Sequence, residues 1–277
     1  MAKIPERLGT LTLVRQIGLG RHCQIWEAVD ERSGQRVAVK AIVPSAAADA
    51  APRRLLEHEL KVARAVRHPM IIHIDRFSDD GGLPHLVMEL FPHPNLKRQI
   101  AAGVAPLAAK VPRIVTDLAL ALDHMHSRGW VHRDVKPDNV LAAADGLVKL
   151  IDLAIAARTT GPIGRLFGGR GQAQGSHSYM PPEQIRGLPV DARADIYALG
   201  CTMFELLAGR PPFTAANHND LLNKHVSAAA PAVEVINSHA SAGISRLIRQ
   251  MLAKKPAARP ASMQEVIGRL REIHFFH

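Results

Sequence analysis

Between two short apolar runs, the stretch WVHRDVKPDNVL crowds His132, Arg133, Asp134, Lys136, Asp138 and Asn139. A solvated turn carries charges, but it has no need of a carboxylate, a lysine two residues on and an amide five on. Further along, KLIDLAIA sets one carboxylate, Asp152, in an otherwise apolar run. Such a group is expensive to bury unless something positive meets it. Asn139 and Asp152 make a pair of hard oxygen donors suited to Mg²⁺, which takes few protein ligands and completes its shell with phosphates and water.

Two earlier features carry complementary chemistry. VAVK puts Lys40 on a strand that otherwise points apolar residues inward, and a lysine facing a core needs an anion. Glu59 lies beside the apolar stripe Leu56, Leu60 and Ala63 of the next helix, so it can face the sheet and meet Lys40. Either residue alone is read equally well as a solvated charge. In IGLGRHCQIWEAVD, Gly18 and Gly20 sit between two strand patterns, where the backbone can approach a phosphate closely. The bland reading is a tight turn. A strand follows where a dinucleotide fingerprint requires a helix, which argues against a Rossmann site.

These groups need a frame. TLTLVRQIG, QIWEAVD and RVAVKAIV alternate as strands, the last two joined by the turn DERSGQ. PSAAADAAP reads as a connector of small residues, and a helix through Leu56, Leu60, Ala63 and Val66 stops at Pro69. IIHIDRF and HLVMEL add two strands, for a five-stranded antiparallel sheet with one helix, an α+β unit. From residue 94 the pattern turns helical. Ile114, Leu118, Leu122 and Met125 mark a long helix ending at Arg128-Gly129. More helices are expected over 192–208, 217–227, 242–253 and 262–273, the last opened by a capping box of Ser262 and Glu265. Residues 161–175, with six glycines, are expected to be mobile.

The composition is that of a globular chain: 277 residues, 47% hydrophobic and 22% charged. A net charge of +10 favours anionic partners, although mere solubility accounts for it as well. Two cysteines, Cys23 and Cys201, are too few for a disulfide framework and fit a reducing, cytoplasmic setting. The opening MAKIPERLGTL lacks a signal-peptide core, and no stretch reaches eighteen apolar residues. A longer, membrane-anchored parent protein stays open.

In order and spacing, the glycine-rich loop, VAVK, the helix glutamate, HRDVKPDN, the Asp152 motif and PPE resemble the signature set of a protein kinase domain. The type it resembles is the eukaryotic-like serine/threonine kinase found also in bacteria. The resemblance implies an α+β, two-lobed fold: residues 1–91 as an N-lobe with the antiparallel sheet and one helix, and 92–277 as a mainly helical C-lobe. It implies ATP and Mg²⁺ (or Mn²⁺) as cofactors and a protein with a Ser or Thr hydroxyl as substrate, with no specific nucleic-acid binding. Gly18 and Gly20 would cover the phosphates, and Lys40, held by Glu59, would contact them. Ile17, Ile25 and Ala38 would belong to the nucleotide site, with Met88 as gatekeeper and Glu89 and Phe91 as hinge contacts to adenine. Asp134 would accept or orient the substrate hydroxyl proton, Lys136 would steady the γ-phosphate, and Asn139 and Asp152 would hold the metal. Asp195 resembles the aspartate that braces the HRD backbone, Glu183 and Arg259 resemble a buried family pair, and His126 takes a structural position.

Three departures stand out. Cys23 replaces the third loop glycine. Asp152-Leu153-Ala154 replaces Asp-Phe-Gly; Leu153 keeps an apolar plug, whereas Ala154 is expected to resist backbone angles open to glycine. No Ser, Thr or Tyr occurs within 161–175, so control without mid-loop phosphorylation is expected, with Thr159, Thr160, Ser176 and Ser178 at its flanks. Arg165 and Arg170 read as solvated loop charges, Cys201 as a core thiol, and His124 and His126 as pointing to different faces. The rivals to an active kinase are an ATP-binding pseudokinase scaffold and a small-molecule phosphotransferase.

Overall fold

The computed structural model describes residues 6–20, 22–159 and 177–277. The glycine-rich stretch 161–175, and with it Thr160, Arg165, Arg170 and Ser176, lies outside the described residues. The chain divides into two compact units, Met1–Pro92 with Asp152–Ile155, and His93–Ile151 with Ala156–His277.

The first unit is an antiparallel sheet of β1 (Arg7–Leu8), β2 (Leu11–Leu19), β3 (Cys23–Asp30), β4 (Gln35–Ile42), β5 (Ile74–Ser78) and β6 (His85–Glu89), in the order β1-β2-β3-β4-β6-β5, with the helix α1 (Ala50–Ala65). Six strands stand where five were expected. β1 is only two residues long, too short to show alternation, yet its Leu8 is fully buried with Leu11, Ala28, Val39 and Val87. The expected connector also ends early. The Asp49 side chain accepts the Ala51 N–H as an N-cap, and the alanines beyond it enter α1.

Alternation along β4 puts Val39 and Ala41 on one face and Ala38, Lys40 and Ile42 on the other. Cross-strand register then lines up Gly18, Ile25, Lys40 and Leu86 in a single row, with Ala38 opposite Met88 in a neighbouring one. Gly18 has a packing reason to be glycine, since a Cβ there would lie 3.0 Å from the Ile25 side chain.

The second unit holds α2 (Leu96–Ala101), α3 (Val111–Ser127), α4 (Pro182–Ile185), α5 (Arg193–Ala208), α6 (His218–Ser227), α7 (Ala242–Met251) and α8 (Met263–Glu272). Among the described residues four short strands complete it: β7 (Trp130–Val131), β8 (Val140–Ala142), β9 (Val148–Leu150) and β10 (Ala157–Arg158), paired as β8 with β9 and β7 with β10. The α5 helix is the centre of this core, buried on all sides from Ala194 to Leu207. Its Gly200 permits close approach to α7, because a Cβ would meet that of Met251 at 2.9 Å. Ser262 caps α8 as expected, accepting the Glu265 N–H at 3.2 Å. Glu265, however, reaches back to the Ala261 N–H, one residue before the position a capping box uses.

Candidate active site

The groups expected to be catalytic fall into two clusters, each built within one unit. In the first, Lys40 Nζ donates to Glu59 Oε2 at 2.7 Å and to Asp152 Oδ1 at 3.0 Å. Glu59 lies on the buried stripe of α1 and is 2% exposed, so the helix supplies the counter-charge the strand lysine requires. Burial opposes the charge on Lys40, but the carboxylates of Asp152 and Glu59 outweigh it and hold the ammonium above its usual range. Leu153 is fully buried, as an apolar plug should be, and its backbone N–H bonds the Glu59 carboxylate.

Ala154 corrects an expectation. Among the described non-glycine residues only Arg133 and Asp152 have positive φ, at 70° and 65°. The left-handed residue of the Asp152-Leu153-Ala154 turn is therefore the aspartate, and alanine meets no such strain. Aspartate tolerates this region better than most residues. Cys23, at the sheet end of the glycine-rich turn, is half-buried, and burial pushes its thiol up to about 11. A thiol held neutral is a poor nucleophile.

The second cluster is the loop after β7. Lys136 Nζ donates to Asp134 Oδ2 at 2.7 Å, and Asn139 Nδ2 donates to the same oxygen and to the Asp134 carbonyl, both at 2.9 Å. With its nitrogen engaged, the Asn139 amide keeps its oxygen for another partner. The loop is held from beneath. Asp195, fully buried on α5, accepts the His132 N–H at 2.8 Å and the Arg133 N–H at 2.9 Å, and pairs with His126 Nε2 at 2.8 Å. Burial raises the pKa of the Asp195 carboxyl, but these hydrogen bonds and nearby histidines prevail and hold it below the usual carboxylate range. Glu183 and Arg259 form the expected buried pair, bidentate at 2.7 and 2.8 Å. Cys201 is a buried core thiol, its pKa raised by burial.

Among the residues expected in a nucleotide site, Gly18, Ile25, Ala38, Lys40 and Met88 share neighbouring rows of the sheet. Ile17 precedes Gly18 on β2, Gly20 follows that strand, and Glu89 and Phe91 lie at and beyond the end of β6, with the Glu89 N–H donating to the His73 carbonyl at 3.0 Å. Sequence reasoning named His132 in this crowded segment but gave it no role. Its ring is buried, bonds the Ile151 carbonyl at 3.3 Å and accepts the Asp134 N–H at 3.2 Å, tying the loop that carries Asp134 to the end of β9. Its place two residues before Asp134 was the available signal.

Residues 11–269 match the family model described as protein kinase domain. This chain belongs to that family. The kinase domain is 31% identical to a probable serine/threonine-protein kinase of Streptomyces coelicolor over 95% of its own length, and 32% identical over 93% to each of the Mycobacterium tuberculosis serine/threonine-protein kinases PknD and PknB. It spans about two fifths of the length of these relatives, 38 to 42%. The crystal structure of the Mycobacterium tuberculosis PknI kinase domain superposes with a TM-score of 0.73 at 27% identity, covering 98% of this chain and 99% of that one. The expected kinase fold and the bacterial serine/threonine type are thus borne out. No described helix is long and apolar enough to cross a membrane.

Proposed function

We propose that this kinase domain moves the γ-phosphoryl group of ATP to Ser or Thr hydroxyls of protein substrates in the presence of Mg²⁺ or Mn²⁺. One observation carries the reading: every charged catalytic part is present and already oriented, Lys40 between Glu59 and Asp152, and Asp134 by Lys136 and Asn139. Positioning and electrostatics are what phosphoryl transfer asks of a protein.

On this reading Lys40 neutralises the α- and β-phosphates, and Glu59 keeps it aimed. Gly18 and Gly20 cover the phosphates with backbone amides, while Ile17, Ile25, Ala38, Met88, the Glu89 carbonyl and the Phe91 amide receive the adenine. Asp134 orients the substrate hydroxyl and takes its proton as the bond to phosphorus forms, and Lys136 steadies the γ-phosphate. The donor chemistry also fits a hard cation. The Asp152 side chain remains 39% exposed beside Lys40, and Asn139 has an amide oxygen to offer. Bound there, Mg²⁺ would neutralise charge on the phosphates. ATP and reduced thiols, including the free Cys23 and Cys201, suit a cytoplasmic domain.

A transfer assay on protein and metabolite pools, comparing wild type with Asp134→Asn and Asp152→Asn, tests this. Protein phosphorylation at least a hundredfold above both variants is expected. Equal background turnover in all three would favour a nucleotide-binding scaffold, and labelling of metabolites alone would favour a small-molecule phosphotransferase.

A further inference from the structure

Beyond the catalytic clusters, one buried carboxylate is matched in an unusual way. Glu205 lies on α5 and is 1% exposed. The Tyr179 hydroxyl donates to its Oε2 at 2.5 Å, and Lys97 Nζ donates to its Oε1, also at 2.5 Å. Lys97 closes the triangle by donating to the Tyr179 hydroxyl oxygen at 3.2 Å, yet its side chain remains 43% exposed. Burial and the neighbouring Glu205 both push the Tyr179 hydroxyl above its usual range, so it stays a donor.

The triangle is joined through α2 to the loop that carries Asp134. Lys97 is in the first turn of α2, whose N-cap Asn95 donates its Nδ2–H to the Asp138 carbonyl at 3.2 Å. Asp138 adjoins Asn139, the residue that holds Asp134. An extended peptide advances roughly 3.3 Å per residue, so one presenting its hydroxyl to Asp134 would run on past the segments this chain of hydrogen bonds connects.

We propose that Lys97 is a specificity-determining residue: it neutralises Glu205 and presents an ammonium to the substrate, so that peptides with an acidic side chain near the phosphoacceptor are preferred and basic ones are rejected. The inference rests on the protein-kinase reading above. A buried carboxylate demands a positive partner. While Lys97 fills that role, Glu205 has nothing to offer a substrate cation; without Lys97, a substrate Arg or Lys becomes the counter-charge. The net charge of +10 pulls the same way, toward acidic substrates at this position.

The test is a set of Ser- and Thr-containing peptides with Glu, Gln or Arg at each flanking position, assayed for kcat/KM with wild type, Lys97→Met, Lys97→Arg and Glu205→Gln. Wild type should favour Glu over Arg at one position by at least fivefold. Lys97→Met should reverse that order, Lys97→Arg should keep it, and Glu205→Gln should widen it. The last variant decides the matter if Lys97→Met does not fold. Unchanged preferences in Lys97→Met and Glu205→Gln, with only the melting temperature lowered, would overturn the inference and leave a packing contact. A wild type that phosphorylates no peptide would instead overturn the kinase reading on which it rests.

Discussion

Asp195 Oδ1 accepts the backbone N–H of Arg133 at 2.9 Å, and Arg133 is held there at a φ of 70°. A non-glycine residue in that region costs on the order of 1 kcal/mol and persists only when its surroundings insist. The insistence comes from α5, the most buried helix of the domain. The loop that carries Asp134 is therefore shaped from below, through its backbone.

Replacing Asp195 by Ala leaves the His132 and Arg133 amides buried without acceptors. A loss of about 2–4 kcal/mol in urea unfolding is expected, with phosphate transfer falling at least a hundredfold as the loop relaxes. Asp195→Asn retains one acceptor oxygen and should fall between wild type and Ala in both measurements.

Lys40→Met strands the Glu59 carboxylate in the core. Breaking a buried pair from one side costs about 3–5 kcal/mol, and transfer activity should drop by two orders of magnitude or more. The double variant Lys40→Met with Glu59→Gln separates the two effects. Its unfolding free energy should recover most of the loss while its turnover stays at background.

The backbone at position 154 makes an unusual forecast. Because Ala154 has no positive φ, restoring the family glycine relieves nothing and adds freedom to the unfolded chain. Ala154→Gly should lower stability by about 0.5–1 kcal/mol without raising kcat. A severalfold gain in kcat would show that the turn needs the conformations alanine denies it.

His225 supplies a pH dependence. It is fully buried on α6, and its Nδ1 pairs with the Tyr197 hydroxyl at 2.8 Å. Phe213, Lys254, His177 and the Ser178 backbone also face it. Burial first, then Lys254 and His177, push its pKa down to about 4. The unfolded chain binds a proton near pH 6.5 that the folded one refuses, so the contribution to stability is full above 6.5 and is lost as pH falls toward 4. Each tenfold difference in proton affinity is about 1.4 kcal/mol, which makes the loss roughly 3 kcal/mol across that window. Urea unfolding at pH 7, 5.5 and 4 should show this slope in wild type and a flatter one in His225→Gln.

Local spacing alone determined a good deal. The 3.6-residue stripe of α1 and the twofold alternation of β4 are written in neighbouring residues, so helix, sheet and the meeting of Lys40 with Glu59 follow from hydrophobic pattern. The kinase motifs do as well, because each is a short run whose residue types are dictated by phosphate and hydroxyl chemistry. Tertiary structure alone decided the remainder. Leu8 became a strand through a partner sheet that its own two residues do not announce. The positive φ fell on Asp152 rather than on position 154. Lys97 and Glu205 met across 108 residues of chain. Backbone angles and long-range charge pairs are set by what surrounds a residue after folding, and that environment is assembled from segments that a sequence window never sees together.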